Sequence, residues 1–193
     1  VASAPIPSTT AQSTTVQSAK VNMADIIEKL LALELLLRDK LNLAGQYLPL
    51  LMVRCLLAWE YWEAGLQKFN GDNWFHHIQE NFPFPFSIID TQISWFLATW
   101  FELLGAVALL VGLGVRYVSI SLLVLTLVAT LAVHIPPEGW SSFSDMLAGY
   151  AISDKGFGNY KLPLLYSILF MPLLFLGPGK LSLDHLIYKH FNK

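Results

Sequence analysis

The sequence has little charge and almost no cysteine. Only 13% of the 193 residues are Asp, Glu, Lys or Arg, against about 25% in ordinary soluble domains. Cys55 stands alone, which excludes an intramolecular disulfide, a Cys-x-x-Cys redox pair and a thiolate zinc site. The formal net charge is -2 and there is no long basic run, so we expect no nucleic-acid partner.

Apolar residues are in excess. They make up 54% of the chain, and the mean hydropathy is +0.51, which predicts an integral membrane protein in contact with the lipid bilayer. The start of the sequence lacks the apolar run of a signal peptide, so we expect the membrane spans themselves to direct insertion.

Four apolar stretches have about the length that a hydrocarbon core of roughly 30 Å requires at about 1.5 Å per residue. They cover approximately residues 47–69, 91–113, 117–135 and 162–176. The predicted fold is therefore an all-α integral membrane four-helix bundle over residues 46–187, followed by a cytoplasmic tail at 188–193. A short helix is expected in the polar stretch between the third and fourth spans, at residues 142–151.

The residues before the first span divide into two parts. Residues 1–22 are rich in Ser, Thr, Gln and Ala and contain two prolines, a composition that predicts a disordered tail. In residues 23–45, leucines and isoleucines recur at helical spacing among charged residues. That pattern predicts an amphipathic interfacial helix that lies on the membrane surface or on the bundle.

The orientation follows from the Lys and Arg residues that flank the spans. If both termini lie inside, most of these residues fall on the inner side, and the outer side receives Lys68, Lys155 and Lys161. The positive-inside rule then predicts a multi-pass membrane protein with the N- and C-termini cytoplasmic.

Two charged residues fall deep within the predicted spans. Arg54 lies in the first and Glu102 in the second, and an unpartnered charge near the bilayer centre costs at least about 2.5 kcal/mol. Counting from the span ends puts their depths within about 4 Å of each other, which predicts an ion pair. Such a pair either fixes the register of two helices or anchors a polar ligand group and relays protons.

A second polar group is expected near the outer surface. Glu60 and Glu63 share one helix face, His134 ends the third span at a similar depth, and His76 and His77 follow in a loop. This group allows a proton-handling or quinone-headgroup site. It also allows solvated acids that pair with a nearby lysine. We predict no metal site, and Glu60, His76 and His77 are only weak candidate ligands.

All six tryptophans fall in the outer half of this topology or in its outer loops. Tryptophan at that level is typical of a membrane-interface belt. The other interpretation is an apolar pocket that holds a quinone-like ring between Trp59, Trp62, Trp100 and Phe101, above Glu102.

Several short strings resemble a known family. The first span carries Arg54, Ala64-Gly65 and Lys68-Phe69, and the second carries Glu102-Leu-Leu-Gly105. The string Gly112-Leu-Gly114-Val-Arg116 follows, and residues 177–184 read GPGKLSLD. Together they resemble the DoxX family of small four-helix bacterial inner-membrane proteins.

The resemblance implies a membrane subunit. The family is named after a subunit of thiosulfate:quinone oxidoreductase, and relatives are associated with redox stress and with the maturation of copper-binding peptides. The long loop at 138–160 is closer to the peptide-maturation relatives. Glu60, Glu63, His76 and His77 depart from the apolar pattern expected of the family at those positions.

We interpret the chain as a redox-linked membrane subunit that binds a quinone-like ligand near Glu102, with Arg54, Glu63 and His134 as the other chemically active residues. The sequence has no Rossmann fingerprint and no haem-attachment motif, so any electron donor must be another protein subunit. The alternative is a non-enzymatic membrane scaffold or transporter-like partner in metal handling or copper-binding peptide maturation. A third interpretation is a structural ion pair in a protein that only anchors a complex.

Overall fold

The computed structural model describes residues 10–136, 138–150 and 158–192, with side chains from residue 23 onward. Within these ranges the secondary structure is helical and contains no strand, which confirms the predicted all-α class. The helices are α1 (Thr10–Gly45), α2 (Leu48–Asn70), α3 (Thr91–Val111), α4 (Val115–Ala129), α5 (Phe143–Gly149), α6 (Lys161–Phe175) and α7 (Leu183–Phe191). A π-helical segment, Thr130–His134, continues α4.

The described residues up to Gly45 form a unit of their own. Helix α1 begins at Thr10, so the prediction of a disordered tail is wrong for residues 10–22, while residues 1–9 lie outside the described residues. No Gly or Pro separates Pro7 from Gly45, and those are the residues that most strongly oppose helix formation. Within α1, Lys29 Nζ donates to Asp25 Oδ2 at 2.8 Å, one helical turn away.

The second unit begins at Gln46 and contains the helices predicted as membrane spans. Helices α2, α3 and α6 and the continuous α4 and π segment begin and end within a few residues of the predicted limits. By length and hydropathy, α3 and the α4–π helix qualify as membrane spans on their own. Helix α2 qualifies only together with the segment before it, and α6 is apolar but has only 15 residues.

The core of this unit lies where α2 meets α3 and where α4 meets α3 and α6. Its buried residues are Leu57, Ala58, Tyr61, Ala106, Leu109, Val115, Leu122, Phe170 and Leu173. Two glycines allow close approach of the helices: a Cβ at Gly65 would lie 2.8 Å from Leu103 Cγ, and one at Gly105 would lie 3.0 Å from Leu122 Cδ1. Small residues at helix contacts are what packing inside a membrane favours.

Gly65 also fixes how far α2 is offset along α3. Its Cβ position would be 3.2 Å from Glu102 Cβ, so the two residues are level. At about 1.5 Å per residue, Asn70 ends α2 about 7 Å beyond this level, whereas α3 extends about 16 Å beyond it to Thr91. Helix α2 therefore stops about one and a half turns short of the start of α3.

The connection from α2 to α3 contains three short 3₁₀ turns, Phe75–His77, Gln79–Asn81 and Phe86–Ile88. Side-chain amides hold it together: Asn73 Nδ2 donates to Thr91 O at 3.2 Å, and Gln79 Nε2 donates to Ile89 O at 3.1 Å. The Phe75 ring lies 5.2 Å from the Phe82 ring and 5.0 Å from the Trp95 ring between centroids. This loop is thus an ordered aromatic cluster.

At the opposite end of the unit, the chain after α6 folds back onto the turn between α3 and α4. Asp184 Oδ1 accepts from Gly114 N at 2.8 Å and Asp184 Oδ2 accepts from Val115 N at 3.0 Å. In return, Asp184 N donates to Gly112 O at 3.0 Å. The carboxylate therefore caps α4 from a distant part of the sequence.

Helix α5 lies within the predicted short helix at residues 142–151. Its N-cap is Ser142, whose hydroxyl accepts from Asp145 N at 3.1 Å. A hydrogen bond from Ser141 Oγ at 2.8 Å holds the pKa of the Asp145 carboxyl below its usual range. The serines and this acid explain why a helix begins here in a polar stretch.

Candidate functional site

Glu102 is buried, and its partner is Lys68. Lys68 Nζ donates to Glu102 Oε1 at 2.9 Å and to Oε2 at 2.8 Å. The side chains are 3% exposed for Glu102 and 17% for Lys68. Gly65 lies one turn before Lys68 on the same helix face and brings α2 close enough for the lysine to reach across. The pair thus joins α2 to α3 at the most closely packed level of the two helices.

The predicted ion pair between Arg54 and Glu102 is wrong. Arg54 is completely buried, but its Nη1 donates to Leu109 O at 3.1 Å and its Nη2 donates to Leu181 O. The prediction counted depth from the helix ends and took those ends to be level. Because α2 stops short of α3, Lys68 lies only about 4.5 Å along α2 from the level of Glu102, within reach of its side chain, whereas Arg54 lies about 16 Å from that level toward the Gly112 end.

A cavity of about 440 Å³ opens beside the Lys68–Glu102 pair. That volume is within the range of small-molecule sites. Residues of the loop at 71–90, of α3 and of α4 with its π segment form the wall: Trp74, Phe75, Ile78, Phe82, Phe86, Ile89, Ser94, Leu97, Ala98, Phe101, Ile120, Ser121, Val124, Leu125, Val128, Ala129 and Val133, together with Lys68 and Glu102. We call this space the outer cavity.

The outer cavity has few polar groups. Among the described residues Lys68 donates only to Glu102, and an ammonium group has three N–H donors. One donor is therefore free for a further acceptor. The Ser94 hydroxyl, also in the wall, is buried and has no partner among the described residues. An apolar pocket with a small number of placed polar groups is typical of a ligand site.

A second cavity of about 330 Å³ adjoins the first. It lies between α3 and α4 and is lined by Leu97, Trp100, Phe101, Leu104, Gly105, Ala108, Tyr117, Val118, Ser121 and Leu122. Leu97, Phe101 and Ser121 line both spaces. We call this second space the inner groove, because it extends along α3 from the level of Leu97 toward the Gly112 end.

Of the four residues predicted to form an aromatic wall, two line the cavities and two do not. Phe101 lines both cavities and Trp100 lines the inner groove. Trp59 and Trp62 are exposed, at 68% and 41%, and line neither of these two cavities.

The predicted proton-handling residues lie outside the cavity wall. Glu63 is exposed on α2. His134 ends the π segment, where its Nδ1 donates to Gly158 O at 2.8 Å and its own carbonyl accepts from Gly158 N at 2.8 Å. The residue before it, Val133, lines the outer cavity.

The weak metal candidates are not brought together. Glu60 Oε2 accepts from the Tyr166 hydroxyl at 2.5 Å, while the rings of His76 and His77 lie 3.8 Å apart in the exposed part of the loop. In the described part of the chain, no group of three or more His, Cys, Asp or Glu side chains has the geometry to hold a metal ion.

Comparison with known proteins agrees with the strings noted in the sequence. The family model named DoxX matches residues 49–135. An uncharacterized protein of Haemophilus influenzae is 41% identical over 150 residues, which cover 78% of this chain and 90% of that protein. The chain belongs to the DoxX family. No solved structure matches it.

The DoxX strings correspond to two contact networks. Gly65, Lys68 and Glu102 form the close contact between α2 and α3 with its buried ion pair. Arg54 and the string that begins at Gly112 meet the chain after α6 at the far end of the bundle. The residues that carry the resemblance thus form helix contacts, and two of them, Lys68 and Glu102, also line the outer cavity.

Lys68 and the loop aromatics are the site residues that the sequence prediction missed. Lys68 was placed at the outer surface, where it would pair with nearby acids. Its spacing of three residues from Gly65 puts both on the face that packs against α3, and that spacing is visible in the sequence. No local signal places Trp74, Phe75 and Phe82 over a cavity, because their position depends on the helix offset.

Proposed function

We propose that this DoxX protein binds a quinone-like ring compound in the outer cavity and acts as a redox-linked membrane subunit. The observation that carries the proposal is a mostly apolar cavity of about 440 Å³ with one buried ion pair, Lys68–Glu102, in its wall. A membrane-soluble ligand with a flat ring and carbonyl oxygens matches this chemistry.

The apolar part of the wall suits a ring. Phe75, Phe82, Phe86 and Phe101 present aromatic surface, and aromatic rings prefer offset or edge-to-face contact with one another. The contacts already present in the loop are of the edge type, such as Phe75 against Phe82 at 86° between planes. A ligand ring inserted between these side chains extends the same packing.

The polar part of the wall suits an oxygen acceptor. The free N–H of Lys68 donates to a ring oxygen, while Glu102 keeps the ammonium charged and fixed in position. Reduction of a bound quinone takes up two electrons and two protons, and the protons are added to the ring oxygens. Lys68 and Glu102 lie beside the ring oxygen that Lys68 contacts in this proposal. This role for Lys68 replaces the one first assigned to Arg54.

In this proposal, protons reach the cavity from the outer surface and electrons come from another protein. Protons pass between the cavity and the outer surface by way of His134, next to the cavity residue Val133, and Glu63 on α2. Electrons come from another protein subunit, because the sequence has no cofactor motif of its own. In this proposal the protein is one subunit of an oxidoreductase and needs a second subunit to catalyse the reaction.

The proposed topology is a four-helix bundle with both termini on the cytoplasmic side of a bacterial inner membrane. Helices α2, α3 and α6 and the α4–π helix each cross once. Lys and Arg flanking the Gly112 end of the bundle support this orientation, and Arg116 and Lys180 are among them. The outer cavity then lies in the half of the membrane that faces the periplasm.

The test measures quinone in the purified protein. Wild type, Lys68→Met, Glu102→Gln and Val124→Trp are purified in detergent, extracted and analysed by mass spectrometry for quinone and by elemental analysis for metals. We expect stoichiometric quinone in wild type. Lys68→Met loses a charged hydrogen bond worth about 1.5–3 kcal/mol, so its affinity for added decyl-benzoquinone falls at least about tenfold.

Matched variants separate loss of the site from loss of the fold. Val124 and Leu127 are both exposed on α4, but only Val124 lines the outer cavity. Val124→Trp should abolish binding, and Leu127→Trp should leave it unchanged. No quinone in folded wild type and no binding of the added compound would reject the proposal. The membrane scaffold in metal handling or copper-binding peptide maturation would then be the better interpretation.

A further inference from the structure

We propose that the inner groove holds the hydrocarbon tail of the ligand whose ring lies in the outer cavity, so the natural ligand is a long-chain lipid quinone or a compound of the same shape. This inference rests on the proposed function and adds the ligand's tail to it. It also assigns Phe101 and Ala108 as the residues that set where the tail goes.

The two spaces are continuous through shared side chains. Leu97, Phe101 and Ser121 line both, so no separate element of the chain stands between them. Phe101 immediately precedes Glu102 in α3, and its side chain is half exposed. A ligand that touches Glu102 with its head therefore meets Phe101 next, at the point where the groove begins.

The groove has the dimensions and chemistry of a chain site. From Leu97 to Ala108 it follows α3 for about 16 Å at 1.5 Å per residue. Its wall is apolar except for Ser121 and the Tyr117 hydroxyl, and the Ser121 hydroxyl already donates to Tyr117 O at 3.1 Å. The wall therefore has little polar capacity for a second headgroup, which favours a tail over a separate polar molecule.

The groove contributes more to the orientation of the bound ligand than to its affinity. Lipid chains are as apolar as the groove, so moving a tail from the bilayer into it gains little from the hydrophobic effect. What the groove supplies is a fixed direction, since a tail that lies along α3 turns the ring so that its polar edge faces Lys68. The appropriate test is therefore the position of the tail, which affinity alone does not report.

The experiment uses a benzoquinone with a long alkyl tail that ends in a diazirine. The full-length protein in detergent is irradiated with this probe, and the labelled peptides are mapped by mass spectrometry. Unlabelled tailless benzoquinone is added as competitor. We expect saturable labelling near Ala108 on α3 and near Tyr117 on α4. A diazirine fatty acid gives the background pattern on lipid-facing positions.

A matched pair of variants tests the path. Ala108 lines the groove, whereas its neighbour Val107 is exposed and lines neither cavity. Ala108→Trp should reduce labelling at these positions about tenfold, because the indole fills the groove and excludes the tail. Val107→Trp adds the same bulk outside the groove and should leave the labelling pattern unchanged.

The outcomes distinguish the inference from the proposal on which it rests. Labelling that the tailless ring competes away, but that falls on the 71–90 loop or on α6, would reject the tail site and leave the ring site intact. Labelling that no competitor reduces and that matches the fatty-acid background would reject both. Labelling by the fatty acid alone at Ala108 and Tyr117 would mean that the groove holds a bulk lipid chain, which also overturns the inference.

Discussion

At the scale of single residues, the two fully buried charges of this DoxX protein, Arg54 and Glu102, have different kinds of partner. Lys68 and Glu102 neutralise each other, whereas Arg54 has only backbone carbonyls as hydrogen-bond acceptors among the described residues. A planar guanidinium donates in several directions at once, so Arg54 can connect α3 to the chain after α6. The lysine has one donor left over and lies in the wall of the outer cavity, whereas Arg54 lines neither of the two cavities, which is why the candidate site is at Lys68.

Removing one member of the Lys68–Glu102 pair should cost more stability than removing both. A single change leaves a buried charge without its partner, which costs about 3–5 kcal/mol, while a neutral pair of similar volume is often tolerated. We expect Lys68→Met and Glu102→Gln each to lower the thermal unfolding temperature in detergent. The double variant should unfold at a higher temperature than either single variant.

The chain supplies its own control for this cycle. Lys29 and Asp25 form a pair of the same length, at 2.8 Å, but are 75% and 55% exposed. Exposed pairs contribute about 0–1 kcal/mol, so Lys29→Met should change little. Additive losses in the buried cycle would show that Lys68 and Glu102 do not depend on each other, contrary to the geometry.

At the scale of elements, the turn between α3 and α4 depends on a residue that is distant in sequence. Gly112 has φ +76°, and a Cβ there would lie 2.6 Å from Ser182 Cβ and closer still to Arg54. The turn, Arg54 and the segment before α7 therefore occupy one tightly filled space. Asp184 completes it by accepting from the N–H of Gly114, the N-cap residue of α4, and from the N–H of Val115, its first residue.

Asp184→Ala should expose the start of α4 while leaving the start of α3 protected. Loss of a capping acceptor costs about 0.5–2 kcal/mol, so we expect faster hydrogen exchange at the Gly114 and Val115 amides. Asp90 caps α3 by accepting from Gln92 N at 2.7 Å, and Asp90→Ala should speed exchange at Gln92 only. Equal effects of both variants at both ends would contradict a local capping role.

At the scale of the whole molecule, the helices could be predicted and the site only in part. Long apolar runs and glycine breaks fixed α3 and α4 to within a few residues. The sequence also identified Glu102 as a buried acid in need of a partner, and Phe101 as a wall residue of a pocket near it. These features depend on composition and spacing along one helix.

The partner of Glu102 could not be found in the same way. Depth counted along one helix predicts a neighbour on another only if the helix ends are level, and here the close contact at Gly65 shifts α2 relative to α3. The same shift leaves the space that the loop at 71–90 fills with Phe75 and Phe82. Such an offset is a property of packing between helices, which periodicity within each helix does not report.

The proposed topology can be tested by cysteine accessibility, because Cys55 is the one cysteine in the sequence. In a Cys55→Ser background, single cysteines replace exposed residues at the helix ends: Asp72 after α2, Leu113 after α3, Glu138 after the π segment and Asn192 after α7. Intact cells are treated with a membrane-impermeant maleimide. We expect labelling at positions 72 and 138, and labelling at 113 and 192 only after the cells are opened.

The decisive comparison is between positions 138 and 192, because α6 lies between them. At about 1.5 Å per residue, its 15 residues reach about 22 Å, short of a core of roughly 30 Å. A short span is accommodated by local thinning of the bilayer, at a modest cost per Å of mismatch. Labelling of both positions in intact cells would show that α6 does not cross, and the bundle would then have three spans and a C-terminus on the outer side. Labelling of position 138 alone would establish the fourth crossing.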